Sequence, residues 1–134
     1  MKGSNAEEQF ALLLKAHAIP FELEYRFRGL SDQRKWRFDF VILPLYLQIA
    51  VEIEGGSYVY GRHNRPKGFA ADCEKYNQAT LMGWKVLRYT PNQAIELAPL
   101  EIVHLISNVR SNDFRSDSKA PPPIRARNLQ APEV

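Results

Sequence analysis

Residues 47–54, Leu-Gln-Ile-Ala-Val-Glu-Ile-Glu, leave the backbone little choice. Leu47, Ile49, Val51 and Ile53 alternate with Gln48, Ala50, Glu52 and Glu54. That period of two belongs to a strand and not to a helix. The run ends at Gly55-Gly56, where a strand breaks. The alternation also puts Glu52 and Glu54 on one face, two strand residues apart, roughly 6.5–7 Å. Like charges so placed repel. Either this face is open to water, or something positive sits between the carboxylates.

The flanking segments predict the surroundings. Residues 5–18 have an apolar stripe of Phe10, Leu13, Leu14 and His17, and read as a helix stopped by Pro20. Ser4 and Glu7 fit a capping box at its start. Residues 21–27 alternate as a first strand. Residues 36–43 form a second, with Phe38, Phe40 and Ile42 on one face and Arg37, Asp39 and Val41 on the other. A turn at Pro44 returns the chain as the 47–54 strand, an antiparallel hairpin that leaves Asp39 opposite the Ala50–Glu52 region. Residues 69–83 read as a helix closed by Gly83, and 84–90 as a strand parallel to the third. Residues 92–110 form a last helix, with Pro99 as a break or a new first turn. The expected fold class is α/β, in the order α-β-β-β-α-β-α, with a mixed sheet covered by helices on both faces. Carboxylates under such a cover are costly unless paired. Asp39, Glu52 and Glu54 together could frame a volume about the size of a hydrated cation. Oxygen-only ligands suit Mg²⁺ or Mn²⁺.

The 134 residues fit one domain, expected over 1–111, with a Pro- and Arg-containing extended tail over 112–134. A single cysteine excludes an internal disulfide and a multi-cysteine zinc site; Cys73 itself reads as a small buried residue. No apolar run reaches the ~20 residues of a membrane span, and the first ten residues carry no apolar signal segment. The expectation is a cytoplasmic chain without a membrane partner. The net charge is only +3, so any basic surface must come from clustering. Arg62, His63, Arg65 and Lys67 form such a cluster, either a solvated loop or a phosphate-binding one. "RHNR" invites comparison with His-Asn-His nucleases, but His17 and His104 lie in distant helical segments, so the further histidines are lacking. Trp36 and Trp84, at strand starts, read as packing residues.

The Asp-bearing strand, the "VEIEGG" strand, the "RH" loop and the "DCEKYN…GWKVLR" stretch together resemble the restriction-endonuclease-like PD-(D/E)xK nucleases over about residues 4–110. Among these the chain is most similar to small bacterial and prophage proteins related to the very-short-patch-repair mismatch endonuclease. The resemblance implies a restriction-endonuclease-like mixed sheet and a divalent-metal-dependent DNA endonuclease. By position, Asp39 matches the first acid, although Phe38 stands where the family name has Pro. Glu52 matches the second acid, and Glu7 the helical Glu that supports the metal site. Glu54 stands where the motif lysine is expected. It would then be a further ligand or orient the attacking water, and Lys75 or Lys67 would supply the missing cation.

The implied metal ligands are Asp39, Glu52, Glu54, the Ile53 carbonyl and Glu7, holding Mg²⁺ or Mn²⁺. The implied catalytic set is Asp39, Glu52, Glu54, Lys75 and His63, and DNA would be held by Arg62, His63, Arg65 and Lys67. A homodimer is open. Two other classes stay in view: a DNA-binding or regulatory module that kept the fold without turnover, and a phage-type interaction protein.

Overall fold

Strand alternation and helical stripes sort the chain into two helical layers around one sheet. The computed structural model describes residues 5–30, 35–55 and 66–119. The elements are α1 (Asn5–Ala16), β1 (Phe21–Arg28), β2 (Lys35–Ile42), a 3-10 turn (Leu45–Leu47), β3 (Ile49–Ile53), α2 (Pro66–Leu81), β4 (Lys85–Tyr89), α3 (Pro91–Glu96) and α4 (Ala98–Lys119). The sheet order is β1-β2-β3-β4. β1 and β2 are antiparallel, β2 and β3 are antiparallel, and β3 and β4 are parallel. The expected element order and the mixed sheet are both present, with the last helix split in two. Thr90 caps α3 through a capping box. The next helix restarts at Ala98, which puts Pro99 in its first turn, where a missing N–H costs nothing.

One layer packs α1, α3 and α4 on the sheet through Phe10, Leu14, Ala94, Ala98 and Ile102 against Phe40, Ile42, Ile49 and Val51. The rings of Phe10 and Phe40 meet edge to face at 4.9 Å. The other layer sets α2, through Ala79, against Phe27, Phe38, Val41 and Ala50, with Trp36 and Trp84 beside them. Stacked Phe27 and Phe38 rings, 4.2 Å apart, lie at its centre. β3 is buried along its whole length, which fits a strand covered on both faces.

Several details depart from the sequence reading. First, Phe38 and Phe40 do not share a face: Phe38 packs in the α2 layer and Phe40 in the opposite one. The register Leu23↔Phe40 and Tyr25↔Phe38 runs unshifted past Glu24, whose φ is +51°. A residue in the left-handed region turns the hairpin over at that point, so the halves of β1 and β2 present opposite faces to the same layer. Second, α4 continues to Lys119, past residue 112 where the tail was expected. Residues 112–119 are polar apart from Phe114 and contain no Gly or Pro, so an anchored helix runs on through them; residues 120–134 lie outside the described residues. Third, Cys73 is exposed on α2. His17, expected on the apolar stripe of α1, is also exposed, and its Nδ1 lies 2.9 Å from the Leu13 carbonyl. α1 has already ended at Ala16, so the stripe does not extend to it. No helix among the described residues is long and apolar enough to cross a membrane.

Candidate active site

The β2–β3 ladder pairs Ile42↔Ile49, Val41↔Ala50 and Phe40↔Val51. Continued by one step, it sets Asp39 opposite Glu52. Here side chains take over from the backbone. The Asp39 N–H donates to Glu52 Oε2 at 2.7 Å, and the Ile53 N–H donates to Asp39 Oδ2 at 2.9 Å. Each carboxylate caps the partner strand, so the acids are held at the point where the two strands stop pairing. Glu52 is buried, with 6% of its surface exposed.

A buried carboxylate needs charge compensation. α2 supplies it. Lys75 Nζ donates to Glu52 Oε1 at 2.6 Å, and the Tyr76 hydroxyl donates to the same oxygen at 2.8 Å. The Lys75 ammonium also lies 5.7 Å from the Phe38 ring centroid and 5.2 Å from that of Tyr76, within cation–π range. Burial, the Glu52 charge and the hydrogen bond to Glu52 push the Tyr76 hydroxyl far above its ordinary range. It therefore acts as a fixed donor, not a base.

Glu54 takes a different partner. Its Oε2 accepts from Arg88 Nε at 2.8 Å, and the Arg88 guanidinium stacks on Tyr76 at 4.3 Å. Parallel pairing sets Arg88 beside Glu52 in β4, on the face Glu54 shares. The three hairpin acids thus do not converge: Asp39 and Glu52 clasp each other, and Glu54 is turned to Arg88. Among the described residues no three His, Cys, Asp or Glu side chains gather closely enough to hold a metal ion.

The electrostatics still single out Asp39. Burial first, then the charge of Glu52, with Glu7 adding further, push its carboxyl up to about 6, against the pull of the Ile53 N–H and Lys75. Half-buried Glu7 on α1 is raised as well, by burial and then by Glu24 and Glu52, with Arg37 opposing. Glu7 thus lies within electrostatic reach of both hairpin acids, from the opposite layer to Lys75. Arg62, His63 and Arg65, like Ser4, lie outside the described residues. Lys67, expected in the basic loop, falls in the first turn of α2, because Pro66 opens that helix earlier than Phe69. His104 is exposed on α4 beside Asn108.

Tyr76 and Arg88 were not singled out by the sequence. Arg88 had a weak signal, as the one charge following Trp84 and Val86 at strand spacing. That it meets Glu54 depends on the β3–β4 register, which no local pattern encodes. No family model matches the chain, and neither the curated proteins nor the solved structures contain a match.

Proposed function

We propose that the chain is a divalent-metal-dependent DNA endonuclease with a restriction-endonuclease-like fold. The observation that carries this reading is the Asp39–Glu52 clasp at the end of the β2–β3 ladder, with Lys75 of α2 on Glu52. The donor set fits a hard cation. Asp39, Glu52 and the Ile53 carbonyl offer only oxygen, and the Asp39 carboxyl is raised first by burial and then by the charge of Glu52, both of which a bound cation would offset. These three groups would hold Mg²⁺ or Mn²⁺, with Glu7 adding negative charge from α1.

A bound divalent ion supplies an activated water and stabilises charge on the phosphoryl group. The chain's own residues do the rest. Lys75 stands in for the motif lysine that Glu54 displaces: its ammonium reaches the acidic site from a helix instead of the strand. It orients Glu52 and offers positive charge to the phosphate. Tyr76 holds the same Glu52 oxygen and so fixes the carboxylate plane. Glu54 positions Arg88, a second cation that the phosphate backbone can meet. Arg62, His63 and Arg65, in the chain joining Glu54 to α2, and Lys67, in the first turn of α2, would hold DNA across the site, with His63 a phosphate contact or proton carrier.

A second reading has its own support. A Glu54 committed to Arg88 and a Glu52 already neutralised by Lys75 are what a DNA-binding module without turnover could retain. One experiment separates the two: incubation with supercoiled, linear, mismatched and branched DNA in Mg²⁺, Mn²⁺ or EDTA, with calorimetry of the metal alone. The nuclease reading expects metal-dependent cleavage and saturable metal binding that is lost in Asp39→Asn. DNA binding with neither metal uptake nor cleavage would establish the second reading instead.

A further inference from the structure

We propose that the cleft between α2 and β4 is a pocket for a single unstacked nucleobase, next to the acidic site. The inference rests on the nuclease reading for its phosphate but on the cleft for its base. The cleft holds about 280 Å³ and is lined by Phe69, Asp72, Cys73, Tyr76, Asn77 and Arg88. That is below the roughly 300–1,000 Å³ of pockets for drug-sized ligands, and is suited to one heterocycle, not a base pair. Its lining is of two kinds. Phe69 keeps 61% of its surface exposed, leaving an aromatic side chain open at the rim. Asn77 supplies an amide donor and acceptor, and Asp72 an acceptor, the groups that read a base edge. Flat rings over polar edges are what single-stranded bases bind.

The cleft also shares walls with the acidic site. The Tyr76 hydroxyl donates to Glu52, and Arg88 pairs with Glu54. A base seated here brings its own phosphodiester beside these carboxylates and Lys75. A base inside an intact duplex is held by stacking and pairing, so the preferred DNA is single-stranded or locally unpaired.

Cys73 provides a readout that needs no catalysis. It is the chain's single cysteine, is exposed, and lines the cleft. The test follows maleimide alkylation of Cys73 in EDTA, with a single-stranded oligonucleotide or the same sequence fully paired. Saturating single strand should slow alkylation about tenfold, and the duplex should leave it nearly unchanged. Phe69→Ala and Asn77→Ala, both at exposed positions, should each weaken single-strand binding about tenfold by anisotropy and leave duplex binding as in the wild type. If single strand binds while Cys73 alkylates at the free-protein rate and both variants bind normally, the pocket is overturned and the nuclease reading stands. If neither oligonucleotide binds in EDTA, the pocket is overturned, and the nuclease reading is judged separately by cleavage in Mg²⁺ or Mn²⁺.

Discussion

Asp39 and Glu52 do unequal jobs, and their variants should separate them. Asp39 carries the strain of burial and like charge, with its carboxyl raised from 3.8 to about 6. The folded state then binds this proton more tightly than the unfolded chain. Its contribution to stability is present below about pH 4 and is lost as pH rises through about 6. Melting in EDTA should therefore show a fall over that window that Asp39→Asn lacks, while saturating Mg²⁺ should remove the fall, because a metal binds the deprotonated carboxylate. Glu52 instead accepts from the Asp39 N–H, Lys75 and Tyr76. Its removal orphans donors and does not simply relieve repulsion. Lys75→Met keeps the apolar stem against Phe38 but removes the ammonium. It should cost about 1–3 kcal/mol in EDTA, the scale of a buried group losing its charged partner. Mg²⁺ should restore most of that melting temperature but not the cleavage rate; equal rates in wild type and variant would remove Lys75 from the mechanism. Glu54→Lys tests the odd motif position directly. Facing Arg88 instead of pairing with it, a lysine should lower both stability and cleavage, and higher activity there would show Glu54 to be a defect in the motif.

At the level of elements, two helices end the same way with different residues. After α2, Gly83 lies at φ +93°, its N–H donates to the Thr80 carbonyl, and the Trp84 N–H donates to Ala79. After α1, Ala18 lies at φ +56°, its N–H donates to Lys15, and the Ile19 N–H donates to Leu14. Both are the Schellman pattern, in which the left-handed residue favours glycine. Ala18→Gly should stabilise the protein by about 1 kcal/mol, since the left-handed region costs an L-residue roughly that much. Gly83→Ala should destabilise it by at least as much, because a Cβ there would stand 2.9 Å from Gln48 Oε1. Chemical denaturation of the two variants should move the midpoint in opposite directions. Glu24 is a third left-handed residue, and it turns the hairpin over beside Asp39.

Across the whole molecule, the site draws on both layers of the sandwich. Glu7 approaches from the α1 layer, Lys75 and Tyr76 from the α2 layer, and Asp39, Glu52, Glu54 and Arg88 from three adjacent strands. Lys75 and Tyr76 therefore come to Glu52 only when α2 docks on the sheet. The proposed DNA contacts extend the site to Arg62 and Arg65 in the sequence between β3 and α2 and to Lys67 in the first turn of α2. Replacing Arg62, Arg65 and Lys67 together should weaken DNA binding and flatten the dependence of log K on log salt by up to about three counterions. An unchanged slope, measured by anisotropy from low to moderate salt, would take those residues off the interface.

The sequence by itself determined the elements and their order, because alternation, caps and breakers act within a few residues. Ile49–Ile53 had to be strand, although Leu47 closes a 3-10 turn and left-handed Gln48 delays the start that alternation put at Leu47; Gly83 had to end α2, and the hairpin had to bring Asp39 near Glu52. The same local patterns could not locate the turn-over at Glu24, which depends on one left-handed residue across from Asp39. They could not find that α4 outlasts residue 112, since a polar composition does not by itself end a helix. Tertiary structure alone decided the partners: Glu52 with Lys75 and Tyr76, and Glu54 with Arg88 instead of the shared volume that strand spacing suggested. Charge pairing depends on packing and register between distant segments; at buried Glu52 the low dielectric strengthens the pull of Lys75, while at the more exposed Glu54 the β3–β4 register alone brings Arg88 within reach.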